Sequence, residues 1–544
     1  MLNYVWIALL FLGIGTAVTT DLVDQSQNKF RNNEPLPVTI NFNEPFSSNI
    51  QKTYNANLLV KKSTLSNFYK EKILSDVNVP VNITTHGSNA ASTIYFKVGN
   101  NGPKIWQTMA TASGNKDDLT GRIIIDSLIL PASAKAEMVL EDVSFLKIKD
   151  VTNAALDYAG TAVTISIGLI GIMALWLGVM KIAEEAGLIA IIARMLMPVT
   201  KRLFPEVPPD HPAMGSMIMN MSANILGLGN AATPFGLKAM EELDTLNTDK
   251  GTATNAMCTF LAINTAGMTL IPATAIAIRA AAGSSEPAII IGTSLFGSFC
   301  ATVAGIAAAK TLEKFPFRKG QFGDWFRNNL KSFLIFAAII IFFLLIAYSG
   351  VGKIIGAVVS FINPALIKNI ILIFSTVAIP LLIVVFIGYG AIKKVRVYEK
   401  FVEGAKEGFN IAVRIIPYLV AMLVAIGIFR AGGAMSWLVY LLHPITNLIG
   451  MPAEAVPMAL MRPLSGSGSL GVMAETISVH GPDSFIGVLV STLYGSSETT
   501  FYVLAVYFGA VNIRNVRHSL AAGLIADLAG ILGAVFIVRM LFGL

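Results

Sequence analysis

The sequence predicts a mainly α, polytopic membrane protein with two inverted repeats containing broken helices or re-entrant hairpins, plus a small all-β, sandwich-like soluble domain. Three observations predict it. Of 544 residues, 54% are hydrophobic and 13% charged, with mean hydropathy +0.66, whereas soluble domains carry about 25% charged residues. Residues 21–150 are polar and punctuated by short β-branched runs. The stretch Met219–Met240 (MNMSANILGLGNAATPFGLKAM) sets Ile225, Leu226, Leu228 and Phe235 beside Asn220, Asn224, Asn230, Gly227, Gly229 and Pro234. That mixture suits a helix that enters the membrane and breaks. Breaks at depth are tolerated only where protein or a watery cavity satisfies the freed backbone groups.

Taken in order, Leu2–Thr20 is uncharged and long enough to span, about 20 residues being needed. It lacks the basic start of a secretory signal and reads as a retained anchor. Within residues 21–150, the runs Leu36–Phe42, Ser92–Val98, Ile123–Leu130 and Glu137–Ile148 predict strands of an antiparallel sandwich. Tyr158–Met180 predicts a span, and Lys181–Phe204 an amphipathic helix at the interface. Gly251–Ile278 is apolar but contains Asn264, Thr265, Gly267 and Pro272, a second break. Pro287–Ala309, Ser332–Gly352, Asn369–Ile392 and Asn410–Phe429 predict spans, with basic connectors at Lys310–Lys331 and Lys393–Gly408. Gly433–Ile449 reads as interfacial, Arg462–Gly471 (RPLSGSGSLG) as a third break, and Ser484–Ile513 as a span interrupted at Gly495–Thr500. His518–Val538 spans last and carries Asp527, for which a proton-relay role or a pairing with Arg539 is open, the structural role being preferred.

The two halves are related. Gly187–Leu203 aligns on Gly433–Ile449 at an offset of 246, with Gly187/Gly433, Leu196/Leu442, Pro198/Pro444 and Thr200/Thr446 identical. Ala213–Pro234 aligns on Ala455–Thr476 at an offset of 242, matching Met219/Met461, Leu228/Leu470 and Gly229/Gly471. Placing Lys310–Lys331 and Lys393–Lys406 in the cytoplasm follows the bias of basic loops. It puts the β domain outside and makes the two broken hairpins enter from opposite sides. Many secondary transporters use such inverted repeats, with broken helices meeting around the substrate.

At this point the residues resemble two known families. GLIGIMALWLGVMKIAEEAGL (Gly168–Leu188), LFPEVP (Leu203–Pro208), Met219–Met240 and FLAINTAGMTLIP (Phe260–Pro272) resemble spore maturation protein A. RPLSGSGSLGVMAE (Arg462–Glu475) and STLYGSSETTFYVLAVYFGAV (Ser491–Val511) resemble spore maturation protein B. The chain looks like a fusion of the two, with residues 21–150 inserted after the first helix. Both families carry the nucleoside-recognition, or gate, domain, which implies a transporter-like fold. The resulting division is an anchor at 1–20, an extracytoplasmic β domain at 21–150, an A-like gate domain at 151–310, a cytoplasmic linker at 311–331 and a B-like gate domain at 332–544.

Intramembrane ionisable residues are costly, about 2.5–3.5 kcal/mol each at a helix centre on insertion scales, and so point to function. Glu498, between Ser496, Ser497 and Thr499, is the leading ligand for a solute, H⁺ or Na⁺. Glu475 and Arg462 are expected beside it, with a structural Arg–Glu lock equally consistent. Asn220, Asn224, Asn230, Thr233, Asn264 and Thr265 from the first half, and Ser465, Ser467 and Ser469 from the second, supply neutral donors and acceptors. The competing reading of any single one is interhelical packing, worth about 0.6 kcal/mol per contact. The five histidines are scattered, and Cys258 and Cys300 lie in apolar runs, so no metal centre, disulfide framework, cofactor or enzyme chemistry is expected. The net charge of +7 comes without interleaved aromatics, so nucleic acid is not an expected partner. The expectation is a multi-pass protein of the bacterial plasma (inner) membrane that moves a small polar solute such as a nucleoside. The alternative is a non-transporting scaffold that meets an envelope protein through residues 21–150. Homo-oligomerisation is open in either case.

Overall fold

The computed structural model describes residues 2–47, 50–86, 91–99, 102–112, 117–130, 132–227, 229–314 and 364–543, with 327, 330, 334 and 338 as isolated helical positions. The expected span Ser332–Gly352 and most of the linker Lys310–Lys331 lie outside the described residues. The chain divides into two compact units: Leu10–Ala154 with Ile428–Ala434, and Met1–Leu9 with Ala155–Gly427 and Met435–Leu544.

The smaller unit holds a closed antiparallel barrel. Its strands are β1 (Leu36–Phe42), β2 (Thr53–Val60), β3 (Val77–Thr84), β4 (Ser92–Lys97), β5 (Asp118–Leu130) and β6 (Ser133–Leu140), paired in chain order. Inward positions alternate along each strand, as the two-residue pleat requires. In β1 these are Leu36, Val38, Ile40 and Phe42, all buried. α1 (Leu2–Ser26) precedes the strands, and two short helices lie between them, α2 (Lys62–Tyr69) after β2 and α3 (Lys104–Ala112) after β4. Trp106 of α3 is fully buried, and its Nε1–H donates to the Tyr69 Oη at 3.0 Å. Burial pushes the Tyr69 phenol up to about 12. Asp21 on α1 accepts the backbone N–H groups of Lys147 and Ile148 at 2.9 Å, capping the start of the next helix.

This unit corrects the expected sandwich. Sandwich and barrel share the same alternating pattern; the difference is that β6 returns to pair with β1, Leu36 opposite Met138. β5 pairs with β6 through two register irregularities, between Ile125 and Ser127 and between Leu128 and Leu130. β2 and β3 were not expected, because Asn55, Asn57, Asn78, Pro80 and Asn82 mask their alternation. The expected strand Glu137–Ile148 stops at Leu140, and Leu146 begins a helix.

The larger unit is helical. Its first half contains α4 (Leu146–Glu185), α5 (Leu188–Leu203), α6 (Pro212–Leu226), α7 (Gly229–Thr245), α8 (Asn255–Ala266), α9 (Ala273–Ala281) and α10 (Ile290–Leu312). After α11 (Pro364–Ile392), the same series recurs. It comprises α12 (Val397–Ala431), α13 (Ala434–Leu448), α14 (Val456–Leu464), α15 (Gly466–His480), α16 (Phe485–Gly495), α17 (Thr500–Ala510) and α18 (Ser519–Phe542). Gly187 before α5 and Gly433 before α13, equivalent in the alignment, are both left-handed (φ +82° and +92°). Among the described residues, six helices are long and apolar enough to cross a membrane: Asn3–Ser26, Leu146–Glu185, Pro287–Leu312, Ser375–Ile392, Val397–Ala431 and Ser519–Phe542. α5 and α13, which read as interfacial, are not among them. The connector expected at Lys393–Gly408 is from Val397 onward the first turns of α12. There Lys400 pairs with Glu185 (2.9 Å) and Glu403 with Lys181 (3.7 Å), so the charged turns extend the span along the end of α4.

The repeats are inverted. Equivalent helices run antiparallel where they touch. Along α4 and α12, Gly178 meets Phe401, Gly404 meets Leu177, and Gly408 meets Met173. Along α10 and α18, Gly305 meets Ala526, Gly530 meets Ala301, and Gly533 meets Cys300. The broken pair does the same: Phe260 stacks on Tyr507, Thr265 bonds Glu498, Pro272 meets Gly495, and Arg279 reaches Asp483.

Candidate functional site

Four breaks create the site. α6 ends at Gly227 and α8 at Gly267, both left-handed caps (φ +80° and +56°) that glycine adopts without steric cost. The second half breaks differently. Ser465 sits between α14 and α15 and caps α15 by accepting the Gly468 N–H at 3.0 Å. Ser496–Thr499 separates α16 from α17.

A helix end leaves carbonyls without intrahelical partners, and here other breaks supply the donors. The Leu270 N–H bonds Ile225 O at 2.8 Å, and Thr269 Oγ1 donates to Asn224 O at 3.2 Å. The Glu498 N–H bonds Thr265 O at 2.8 Å, tying the second half's break to the first's. The accounting expected for non-helical backbone inside a membrane is thus met between breaks, within the first repeat and across to the second.

A cavity of about 240 Å³ opens at this junction. Asn224, Gly227, Gly267, Thr269, Arg462, Tyr494, Ser497 and Glu498 line it, with Trp176, Lys181 and Glu184 of α4 and Glu407 of α12. Arg462 is 5% exposed. Its Nη2 donates to Ser497 O and lies 3.6 Å from Glu498 Oε2, and its guanidinium stands 4.4 Å from the Tyr494 ring centre. Its Nε has no hydrogen-bond partner among the described residues, and neither does Trp176 Nε1. The Glu498 carboxylate is half exposed, toward the cavity. A fixed cation over an aromatic face and a reachable carboxylate can bind a small polar, planar molecule.

Of the residues expected at a site, Asn224, Arg462, Ser497 and Glu498 line the cavity. Asn264 accepts from Asn224 Nδ2 at 3.0 Å, and Thr265 holds Glu498 through its carbonyl. Asn220 is buried away from it, donating to Ala232 O (2.8 Å) and Tyr507 Oη (3.2 Å). Ser469 and Ser496 turn back on their own helices, bonding Gly466 O and Thr492 O. Ser465 is a cap, with Ser467 Oγ 3.4 Å from its Oγ, and Thr499 is buried beside Gly466. Thr233 lies on α7 outside the lining; the Asn230 side chain lies outside the described residues. Glu475 does not join Arg462: it is fully buried and accepts from Tyr158 Oη at 3.3 Å. The Asp527–Arg539 pairing is also corrected. Arg539 donates to Gly450 O at 3.2 Å, while Asp527 binds Thr500.

Sequence reasoning missed Trp176, Tyr494, Thr269 and the charged Lys181, Glu184 and Glu407. The first three read as ordinary apolar-run residues. The charges read as parts of an interfacial helix and a connector, and only the antiparallel packing of α4 on α12 brings them to the cavity.

The comparisons with known proteins agree with this architecture. The family profile "Gate: Nucleoside recognition" matches twice, at residues 166–282 and 412–514, the two repeats. A spore maturation protein B of Bacillus subtilis (strain 168) is 54% identical over 169 residues, which are 31% of this chain and 95% of that protein. A spore maturation protein A of the same organism is 46% identical over 176 residues, 32% of this chain and 88% of that protein. No solved structure matches. Two nearly complete relatives, each covering about a third of one polypeptide, show that the chain belongs to the gate-domain family of spore maturation proteins and fuses an A-like part with a B-like part.

Proposed function

We propose that the protein is a membrane transporter that binds a small polar solute, a nucleoside or related metabolite, where the breaks of its two inverted repeats meet. One observation carries the reading: the incompletely satisfied Arg462, paired at 3.6 Å with a half-exposed Glu498, stands in a cavity at that junction. Inverted repeats with opposed broken helices are the plan on which alternating access is built. At about 240 Å³ the cavity falls just below the about 300–1,000 Å³ typical of small-molecule sites, which favours a small solute. In this reading Arg462 and Tyr494 hold a planar, polar ring, Glu498 accepts its donors, and Asn224 fixes its edge. No enzyme chemistry and no cofactor are part of the proposal. The protein sits in the bacterial plasma membrane with the barrel outside the cytoplasm.

Uptake by the full chain in proteoliposomes tests this. Glu498→Gln keeps the side chain's shape and should abolish uptake of nucleosides and related solutes while leaving thermal stability near that of the parent. Undiminished uptake by that variant would falsify the ligand role.

A second reading has its own observation. On the barrel, Ile124, Leu128 and Ile129 of β5 are each more than half exposed, as a partner-binding surface would be. A non-transporting scaffold acting through residues 21–150 would lose all function when they are deleted, whereas transport should survive that deletion.

A further inference from the structure

α18 carries a single acidic residue, Asp527, 3% exposed. Small residues surround it. Ala526 packs on Gly305, Ala301 approaches Gly530, and Gly523 lies against Thr500 and Thr265. Asp527 Oδ2 accepts from Thr500 Oγ1 at 2.6 Å, and Oδ1 is buried without a hydrogen-bond partner among the described residues. An ionised carboxylate has about four acceptor positions to fill, and burying one so poorly satisfied is costly.

The packed elements present little charge to it. α8 offers Thr265, α10 offers Ala301 and Gly305, and the turn between α16 and α17 offers Ser497 and Thr500. α14 packs against both α17 and α18 and carries the buried Arg462. Yet Arg462 directs Nη2 to Ser497 O and Glu498 instead.

We propose that Asp527 is a proton-binding site, separate from Glu498 and linked to the solute cavity through Arg462. Its role in coupling rests on the transport reading; its protonation does not. With a proton on Oδ1 the acid is neutral, Thr500 donates to Oδ2, and Arg462 is left to Glu498. When the O–H bond breaks, the proton passes to water in the cavity past the Ser497 hydroxyl, and the electron pair stays on Oδ1. The resulting anion draws the guanidinium inward. One arginine cannot fully neutralise both carboxylates, so Glu498 is released as Asp527 ionises. Proton and solute thus act on one shared cation, which is the physical requirement for coupling two binding events.

Infrared difference spectroscopy of the purified full chain during a pH titration tests this without any transport assay. The parent should show a protonated-carboxyl carbonyl band that disappears on titration. Asp527→Asn should lose that band, and Asp527→Glu should restore one at a shifted frequency. Identical difference spectra for parent and Asp527→Asn would overturn the site. Arg462→Lys and Glu498→Gln should each move the titration midpoint, and an unmoved midpoint in both would overturn the link. If no solute is transported but the band behaves as described, the transport reading fails and the proton site stands.

Discussion

Two buried arginines in the helical unit show how the same side chain can make a lock or a site. Arg279, at the end of α9, is fully buried and spends its donors on five acceptors. Nε bonds Pro287 O at 3.3 Å, Nη1 bonds Pro482 O, and Nη2 bonds Ser284 Oγ, Glu286 O and Asp483 Oδ1 at 3.1, 3.2 and 2.8 Å. Asp483 is itself held by Ser284 Oγ and by the Ser285 N–H and Oγ. Arg462 has one carbonyl, one carboxylate at 3.6 Å and an idle Nε. Arg279 joins the first repeat's broken helices to the second's, and Arg462 lies at the breaks where they cross. A saturated network fixes one geometry; an unsaturated one beside a cavity leaves donors for something else. The closed cluster at Arg279 lies toward the opposite end of the α8–α9 segment from Asn255, with the cavity between, so one end of the crossing is locked while its middle stays accessible.

The largest effect expected from breaking this contrast is on stability. Arg279→Ala removes a fully buried guanidinium that holds Asp483 and three carbonyls, and each hydrogen bond lost is worth about 0.5–1.5 kcal/mol. Asp483 is partly exposed and keeps its Ser284 and Ser285 bonds, so the loss should be about 3 kcal/mol, read as a lowered midpoint in thermal unfolding in detergent. A change indistinguishable from that of Arg462→Ala would remove the distinction between lock and site.

Gly267→Ala is next. Its φ of +56° already disfavours a side chain, and an added Cβ would come within 2.6 Å of Glu498 Cγ. Strain at such a position costs about 1–3 kcal/mol. The specific prediction is a split. Glu498 must move off Arg462, so solute affinity should fall by more than a comparable change at Gly283, which is also left-handed but has open space around it.

How much of this was readable beforehand depends on which force sets each feature. The breaks at 227, 267 and 465 were legible because glycine, proline and serine are local signals in an otherwise apolar run. The inversion was legible in the basic loops, since it rests on charge counts. Arg462 and Glu498 stood out because ionisable groups are scarce in spans. What could not be read was decided by long-range packing. The closure of β6 on β1 has no local signature. Nor does the approach of α4 to α12 that brings Trp176 and Glu407 toward the breaks, or the removal of Glu475 to Tyr158. Arg279 was passed over because its partners are mostly backbone carbonyls more than two hundred residues away or in its own turn, and carbonyls leave no mark in a sequence.

Arg462→Ala should cost less stability than Arg279→Ala, about 1–2 kcal/mol, because its carboxylate partner is half exposed and keeps access to water. Its larger effect should be on binding, with solute affinity reduced at least tenfold in equilibrium dialysis against the purified protein. An Arg462→Ala protein that binds as the parent does would mean that the idle donors serve no ligand.

The smallest effect is a pH dependence that belongs to the lock alone. Burial by itself would raise the Asp483 carboxyl, but the Ser284 and Ser285 hydrogen bonds and the Arg279 charge outweigh it and hold the group below the usual carboxylate range. A folded value below the unfolded one, about 3.9, means that the stabilisation is fully present above the unfolded value and is lost as pH falls through the folded value. Thermal midpoints of the parent and Asp483→Asn should therefore differ at neutral pH and converge below about pH 4. Asp483 is partly exposed, so the difference should be modest and should shrink in high salt. Convergence on raising the pH instead would reverse the sign of the linkage and show that Asp483 is held in its neutral form, which a saturated arginine lock does not permit.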